Sequence, residues 1–473
     1  MLFPTVEYAI FFLLVLCGSW LVWKQNQLKK IFILLVSYIF YGFWDWMFVP
    51  LLFGISSLSY VVAYSIQKSQ SQKTKKTLLV FGAIACLSVL FYYKYVGFFI
   101  INIINLLGLI DFHIPLNFET PLLPLGISFI VFHAISLMGD AYRDKISVKI
   151  KFTDSLLYIA FFPQLIAGPI LRASAFLPQL AVPTDPDKIR INLAGMLIVS
   201  GLFKKVIVSN ILATELVDPV FAAPGAYSGA DILLATYGYA AQIYCDFSGY
   251  TNIAAGCALL LGYKFPKNFD APYYATNPQD FWHRWHISLS TWLRDYLYIP
   301  LGGSRGSTVR TYFNLWITMV LGGLWHGANW TFVIWGILHG SYLIVHRWWN
   351  SLQQRTIVAL RSTTVWTWIS RLLLFHAICI GWVFFRAPSF EIAFAMFSGL
   401  ADFGVTQLAT VPVMLMLLVG LFAQYRPKRW DRGLESELGH WSPVFKGLLL
   451  ALAIFAVELL GPSGVAPFIY FQF

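Results

Sequence analysis

Apolar stretches of about 20 residues recur along almost the whole chain, separated by short polar segments. At ~1.5 Å rise per helical residue, that length matches the ~30 Å hydrocarbon core of a bilayer. The pattern predicts spans at Val6–Trp23, Ile31–Asp45, Phe48–Ile66, Leu78–Ile110 (one long or kinked span), Pro121–Ala141, Ile191–Leu212 and Ala230–Leu261. Two more pieces lie within Tyr312–Trp349, followed by Val365–Phe385, Val411–Tyr425 and Pro443–Leu460, with Ile392–Leu400 a candidate short for a crossing. Thr153–Leu180 contains FFPQLIAGPILR, whose prolines and glycine forbid a plain helix and point to a re-entrant element. The expectation is an all-α polytopic membrane protein with about ten to twelve transmembrane helices plus re-entrant and amphipathic pieces. No segment reads as a separate soluble domain. The chain is therefore expected to form one membrane-embedded domain over 1–473, with N-terminal helices over 4–141, a core over 153–349 and C-terminal helices over 365–473. Val6–Trp23 lacks a basic flank and a small-residue cleavage site, and reads as a retained first span. An inverted internal repeat, common in secondary transporters, is not evident in the sequence.

Composition agrees with this class: 58% of residues are hydrophobic, 18% aromatic and only 12% charged. A net charge of +11 raises the question of nucleic acid. The cations, however, sit in short blocks between apolar runs: Lys24/Lys29/Lys30, Lys68–Lys76, Arg143–Lys151, Lys264/Lys267, Arg284–Arg310 and Arg426–Arg432. That is the positive-inside pattern of a membrane protein, and it assigns these blocks to the cytoplasm with the N-terminus outside. Nucleic acid is not an expected partner; the lipid bilayer is. The five cysteines (Cys17, Cys86, Cys245, Cys257, Cys379) lie in or beside apolar runs and show neither a disulfide framework nor metal-ligand spacing, so no metal is expected.

Three segments carry candidate chemistry. LGGLWHGANW places His326 among Gly322, Gly323 and Gly327, about 21 Å of helix beyond Tyr312. A histidine at membrane depth is a functional candidate, against the alternative of one hydrogen-bonded between packed helices. FWHRWHISLSTWLRDYLYIPLGG (Phe281–Gly303), read as one helix, sets His283, His286, Ser290 and Arg294 at i, i+3, i+7 and i+11 on one face. This is either an interfacial helix meeting lipid phosphates or a cationic wall suited to an anionic donor. The turn LGGSRG adds Arg305 as a weak phosphate cradle. QIYCDFSGYTNIAAG (Gln242–Gly256) sets Gln242, Asp246, Gly249 and Asn252 on one helical face. There Asp246 requires a partner, and an ion pair with an arginine or the orientation of a histidine are the candidate roles, the structural pair being favoured.

Together with LPLGISFIVFHAISLMGDAYRD, FFPQLIAGPILR and the terminal PFIYFQF, these segments resemble the membrane-bound O-acyltransferase family, in order and over nearly the whole chain. The similarity is to its bacterial branch in alginate and peptidoglycan O-acetylation. The resemblance implies tilted helices around a central funnel, with the catalytic histidine at its floor. His326 matches that histidine and His286 the second motif histidine; no role carries over to His283. Arg294, Arg305, Ser290, Trp325 and Asn329 are the candidate donor-binding residues.

The function expected from this resemblance is acetyl transfer across the bacterial inner membrane for O-acetylation of a polysaccharide. Acetyl-coenzyme A is the implied donor substrate, with no bound cofactor. A separate periplasmic SGNH-type O-acetyltransferase is the implied partner, which hands acetyl to the polysaccharide acceptor. His326, if neutral, can act as general base toward a hydroxyl, with His286 orienting the thioester or assisting the proton path. The Phe281–Arg310 element is expected to face the cytoplasm and to bind donor phosphates. PFIYFQF is expected outside, as a partner contact or an aromatic anchor. The competing functions are D-alanyl transfer to teichoic acid from a carrier-protein thioester, and a transporter or flippase with His326 on a proton path.

Overall fold

The computed structural model describes residues 3–110, 119–166, 168–352 and 363–460. Among them the chain is helical and contains no strand, and the PFIYFQF segment lies outside them. The helices divide into two compact units, residues 1–189 with 257–265, and residues 190–256 with 266–473.

The first unit holds α1 (Val6–Leu21), α2 (Asn26–Asp45), α3 (Val49–Lys68), α4 (Gln72–Gly108) and α5 (Ile127–Tyr142). Asp45 leaves helical geometry and accepts from the Met47 N–H at 2.9 Å, which breaks α2 from α3 as the two-span reading requires. α4 runs unbroken through a π turn at Phe91–Tyr95, so the long apolar stretch is one long helix. Every residue from Ile127 to Ala141 is buried, making α5 the centre of this unit.

Around α5 the proline-rich segment forms three short helices, α6 (Phe152–Ala160), α7 (Phe162–Leu165) and α8 (Ala173–Ala181). Side chains satisfy the backbone that these breaks leave open. The Leu171 N–H donates to His133 Nε2 (3.2 Å), the Tyr158 hydroxyl to Leu171 O (2.7 Å) and the Ser174 N–H to Asp140 Oδ2 (3.0 Å). Two buried lysines complete the unit. Lys30 pairs with Asp154 at 2.6 Å, and Lys29 donates to Thr184 Oγ1 and Leu261 O.

The second unit opens with α9 (Ile191–Ala222), which carries π turns at Phe203–Ser209 and Ala213–Val217, and with most of α10 (Gly229–Leu260). The polar face of α10 is the seam to α9. A Cβ on Gly249 would stand 2.8 Å from Gly201 O, and one on Gly201 would stand 2.7 Å from Gly249 O. Here, then, backbones touch directly. Asn252 Nδ2 donates to Ser200 Oγ, and Asp246 pairs with Lys205, both side chains fully buried. Lys205 thus supplies a cation partner for Asp246, where the sequence had pointed to an arginine or a histidine.

The unit continues through α11 (Pro278–Arg284), α12 (Ile287–Leu293), α13 (Thr308–His326), α14 (Trp330–Ser351), α15 (Thr364–Arg386), α16 (Phe390–Gly399), α17 (Val411–Phe422), α18 (Lys428–His440) and α19 (Pro443–Leu460). α16, at ten residues, reaches about 15 Å and is too short to cross a bilayer. Among the described residues four segments are long and apolar enough to span by length and composition: Asn26–Lys68, Gln72–Gly108, Ile191–Ala222 and Thr364–Arg386.

Removing one charge of the Lys205–Asp246 pair strands the other in an apolar interior. Asp246→Ala is expected to cost about 3–5 kcal/mol, whereas Lys205→Met with Asp246→Leu recovers most of that loss. Thermal unfolding in detergent measures both variants; equal destabilisation of single and double variants would contradict the seam described here.

Candidate active site

His326 closes α13. Ser307 caps the start of that helix, accepting from the Arg310 N–H. Gly327, in extended geometry, ends it. Asn329 then caps α14, its Oδ1 accepting from the Thr331 N–H (3.0 Å) while its Nδ2 donates to Pro388 O (2.9 Å).

The two helices pack backbone against backbone. A Cβ on Gly323 would lie 2.2 Å from Phe332 O, and one on Gly336 would lie 2.5 Å from Met319 O. The histidine is therefore held at a rigid turn, as the glycines around it suggested. Its ring is buried and meets three aromatic rings nearly edge to face: Trp325 at 5.0 Å, Trp335 at 5.1 Å and Phe385 at 5.0 Å between centroids.

His286 reaches the same place by a different route. The expected continuous helix over Phe281–Gly303 is not formed. α11 ends at Arg284, Trp285 is extended, and His286 takes a left-handed backbone (φ 40°) before α12 begins. The shared face of His283, His286, Ser290 and Arg294 is lost with the break. The cause lies outside the segment. Asn268 O accepts from the Ile287 N–H (2.9 Å), and Asn268 Oδ1 accepts from both the Ser288 N–H (3.1 Å) and the Ser288 hydroxyl (2.9 Å). This triple grip starts α12 anew and holds His286 in a conformation costing of order 1–3 kcal/mol.

The break turns the His286 ring inward, fully buried against Phe247 (4.5 Å) and Trp325 (6.3 Å). Neither of its ring nitrogens has a hydrogen-bond partner among the described residues. Trp325 thus touches both histidines.

The other candidates separate. Trp325 belongs to the cluster; Asn329 is engaged as a cap one turn past His326. Ser290 is half-buried on α12. Arg294 is exposed and pairs with Asp295 (2.8 Å), and Arg305 is exposed in a turn where Gly302, Gly303 and Gly306 have positive φ. His283 is exposed as well.

Sequence reasoning missed Asn268 and His339. His339 is fully buried on α14 against Trp335 (4.5 Å) and Trp282 (5.2 Å), and Gly381 leaves room for its ring. Its spacing of four from Trp335, which walls His326, was the available signal. For Asn268 no local signal exists.

Residues 140–385 match the MBOAT, membrane-bound O-acyltransferase, family. The chain is 37% identical to the probable alginate O-acetylase AlgI of Pseudomonas aeruginosa, over 86% of this chain and 76% of that protein. It is also 37% identical to a peptidoglycan O-acetyltransferase of Helicobacter pylori, over 91% of this chain and 83% of the relative. A teichoic acid D-alanyltransferase of Bacillus subtilis is 28% identical over 56% of the chain and 69% of its own length. The chain belongs to the membrane-bound O-acyltransferase family, and it is a multi-pass membrane acyltransferase.

Asn268→Ala frees the turn that sets His286. Losing the two hydrogen bonds accepted by its side-chain Oδ1 is expected to lower acyl transfer by at least about tenfold while the protein still inserts. The assay is acyl transfer by purified variant in lipid nanodiscs; unchanged turnover would separate His286 geometry from activity.

Proposed function

We propose that this protein passes an acetyl group from a cytoplasmic thioester, acetyl-coenzyme A, across the inner membrane for O-acetylation of a cell-envelope or exported polysaccharide. The observation that carries the proposal is the burial of His326 at the α13–α14 turn, in one aromatic cluster with His286. Relatives named for acetyl transfer match more of the chain, at higher identity, than the relative named for D-alanyl transfer. That contrast favours acetyl over D-alanyl as the group moved.

In the proposed chemistry, the neutral imidazole of His326 accepts the proton of an attacking hydroxyl. The hydroxyl oxygen forms a bond to the thioester carbonyl carbon, the carbon–sulfur bond breaks, and the proton passes to the departing thiolate. The reaction leaves the enzyme's protonation unchanged, so no net proton path is needed. The edge-to-face rings around His326 fix its orientation and keep the site dry, which strengthens its hydrogen bond to the hydroxyl. His286 orients the thioester. Exposed Arg294 and Arg305 present positive charge to the phosphates of the approaching donor. A separate SGNH-type protein in the periplasm takes the acetyl group onward to the polymer.

His326→Ala is expected to reduce acetyl transfer by about 10²–10⁴-fold with insertion and thermal stability preserved. The measurement is polymer acetylation in cells alongside thioester turnover in nanodiscs. Near-normal acetylation in that variant would remove His326 from the chemistry.

A further inference from the structure

Two adjacent lysines occupy the first π turn of α9, and they are treated differently. Lys205 is fully buried and paired with Asp246. Lys204 is half-buried and has neither an ion pair nor a hydrogen bond among the described residues. Its stem lies against the α10 backbone, where a Cβ on Gly249 would come within 3.2 Å of Lys204 Cβ. Its ammonium sits 5.5 Å over the Tyr244 ring.

The charges within electrostatic reach of it are Arg426, Lys267 and Asp431. Arg426 and Lys267 have carboxylate partners in Asp431 and Asp270. Among these described groups Lys204 is therefore the cation without an ion-pair partner. An ammonium without a counter-charge inside an apolar span is costly, and such residues mark sites where an anion binds.

A run of ring contacts leads from the neighbourhood of Lys204 toward the candidate reaction centre. The Tyr244 ring meets Phe269 (5.9 Å), Phe269 meets His286 (6.5 Å), His286 meets Trp325 (6.3 Å) and Trp325 meets His326 (5.0 Å). Lys204 thus stands at one end of an unbroken run of aromatic contacts that ends at His326. The nearby Lys267 and Arg426 belong to blocks that the charge pattern assigns to the cytoplasm.

We propose that Lys204 is a phosphate-binding residue, its ammonium receiving a phosphate group that enters beside Tyr244. The phosphate belongs either to the donor carrying the thioester arm or to a phospholipid headgroup. The first source rests on the thioester-transfer function proposed above; the second does not.

The test compares wild type with Lys204→Met and Lys204→Arg in nanodiscs, using acetyl-coenzyme A and the phosphate-free thioester S-acetyl-N-acetylcysteamine. If the donor supplies the phosphate, Lys204→Met raises KM for acetyl-coenzyme A about 10–100-fold, as expected for losing a charge-assisted contact. kcat and the KM for the phosphate-free thioester stay unchanged, and Lys204→Arg restores donor affinity. Two binding measurements stand apart from turnover: the thermal shift produced by coenzyme A, and retention of phosphatidylglycerol by native mass spectrometry. Loss of retained lipid in Lys204→Met, with KM for acetyl-coenzyme A unchanged, identifies the headgroup as the source. If Lys204→Met does not insert, Lys204→Gln takes its place. A Lys204→Met protein with wild-type KM, thermal shift and lipid occupancy overturns the site. A wild-type protein that turns over no thioester overturns the proposed function instead, and the binding measurements still decide the role of Lys204.

Discussion

The direct backbone contact between α13 and α14 is the constraint on which the candidate active centre depends. In a membrane, helices gain little from burying apolar surface against each other, because lipid tails are equally apolar. Close packing must supply the attraction. Gly323 and Gly336 let the two backbones meet at distances where a methyl group would overlap a carbonyl oxygen, and Gly340 continues the seam against Trp316. The hairpin then has one register, and its turn holds His326 against Trp325, Trp335 and Phe385. In the role proposed for His326, a base that meets both a thioester and a hydroxyl gains from such a fixed seat.

Several interior polar groups have partners that set structure: Lys30 with Asp154, Lys205 with Asp246, and His133 Nε2 with the backbone of the broken proline-rich segment. His286 and His339 are each buried with neither ring nitrogen hydrogen-bonded among the described residues, and His286 is in addition held in strained backbone by Asn268. Strain and an unmet polar group at the same residue are the marks of a site arranged for something other than stability.

Much of the fold was legible in the sequence because membrane helices announce themselves by length. The break after Asp45, the single long helix through Leu78–Ile110, the hairpin within Tyr312–Trp349 and the short Ile392–Leu400 helix all follow from apolar length and from glycine or proline placement. The segment around His286 was misread, since helical periodicity is a local signal and the Asn268 side chain that breaks it is not part of that segment. The partner of Asp246 was equally hidden. Any cation on a neighbouring helix would satisfy the same sequence, and only packing selects Lys205. The π turns that offset Lys204 from Lys205 leave no periodic trace either.

The central claim is that the glycine seam of α13 and α14 holds His326 in its working position. The most direct measurement is the acyl-transfer rate of Gly336→Ala in nanodiscs, taken together with its insertion and thermal stability. Its new methyl group would sit 2.5 Å from Met319 O, so the helices must part. The expected result is an inserted protein whose turnover falls by at least about tenfold, consistent with a misplacement on the order of 1 Å. Turnover equal to wild type, with the helices forced apart, would contradict the account.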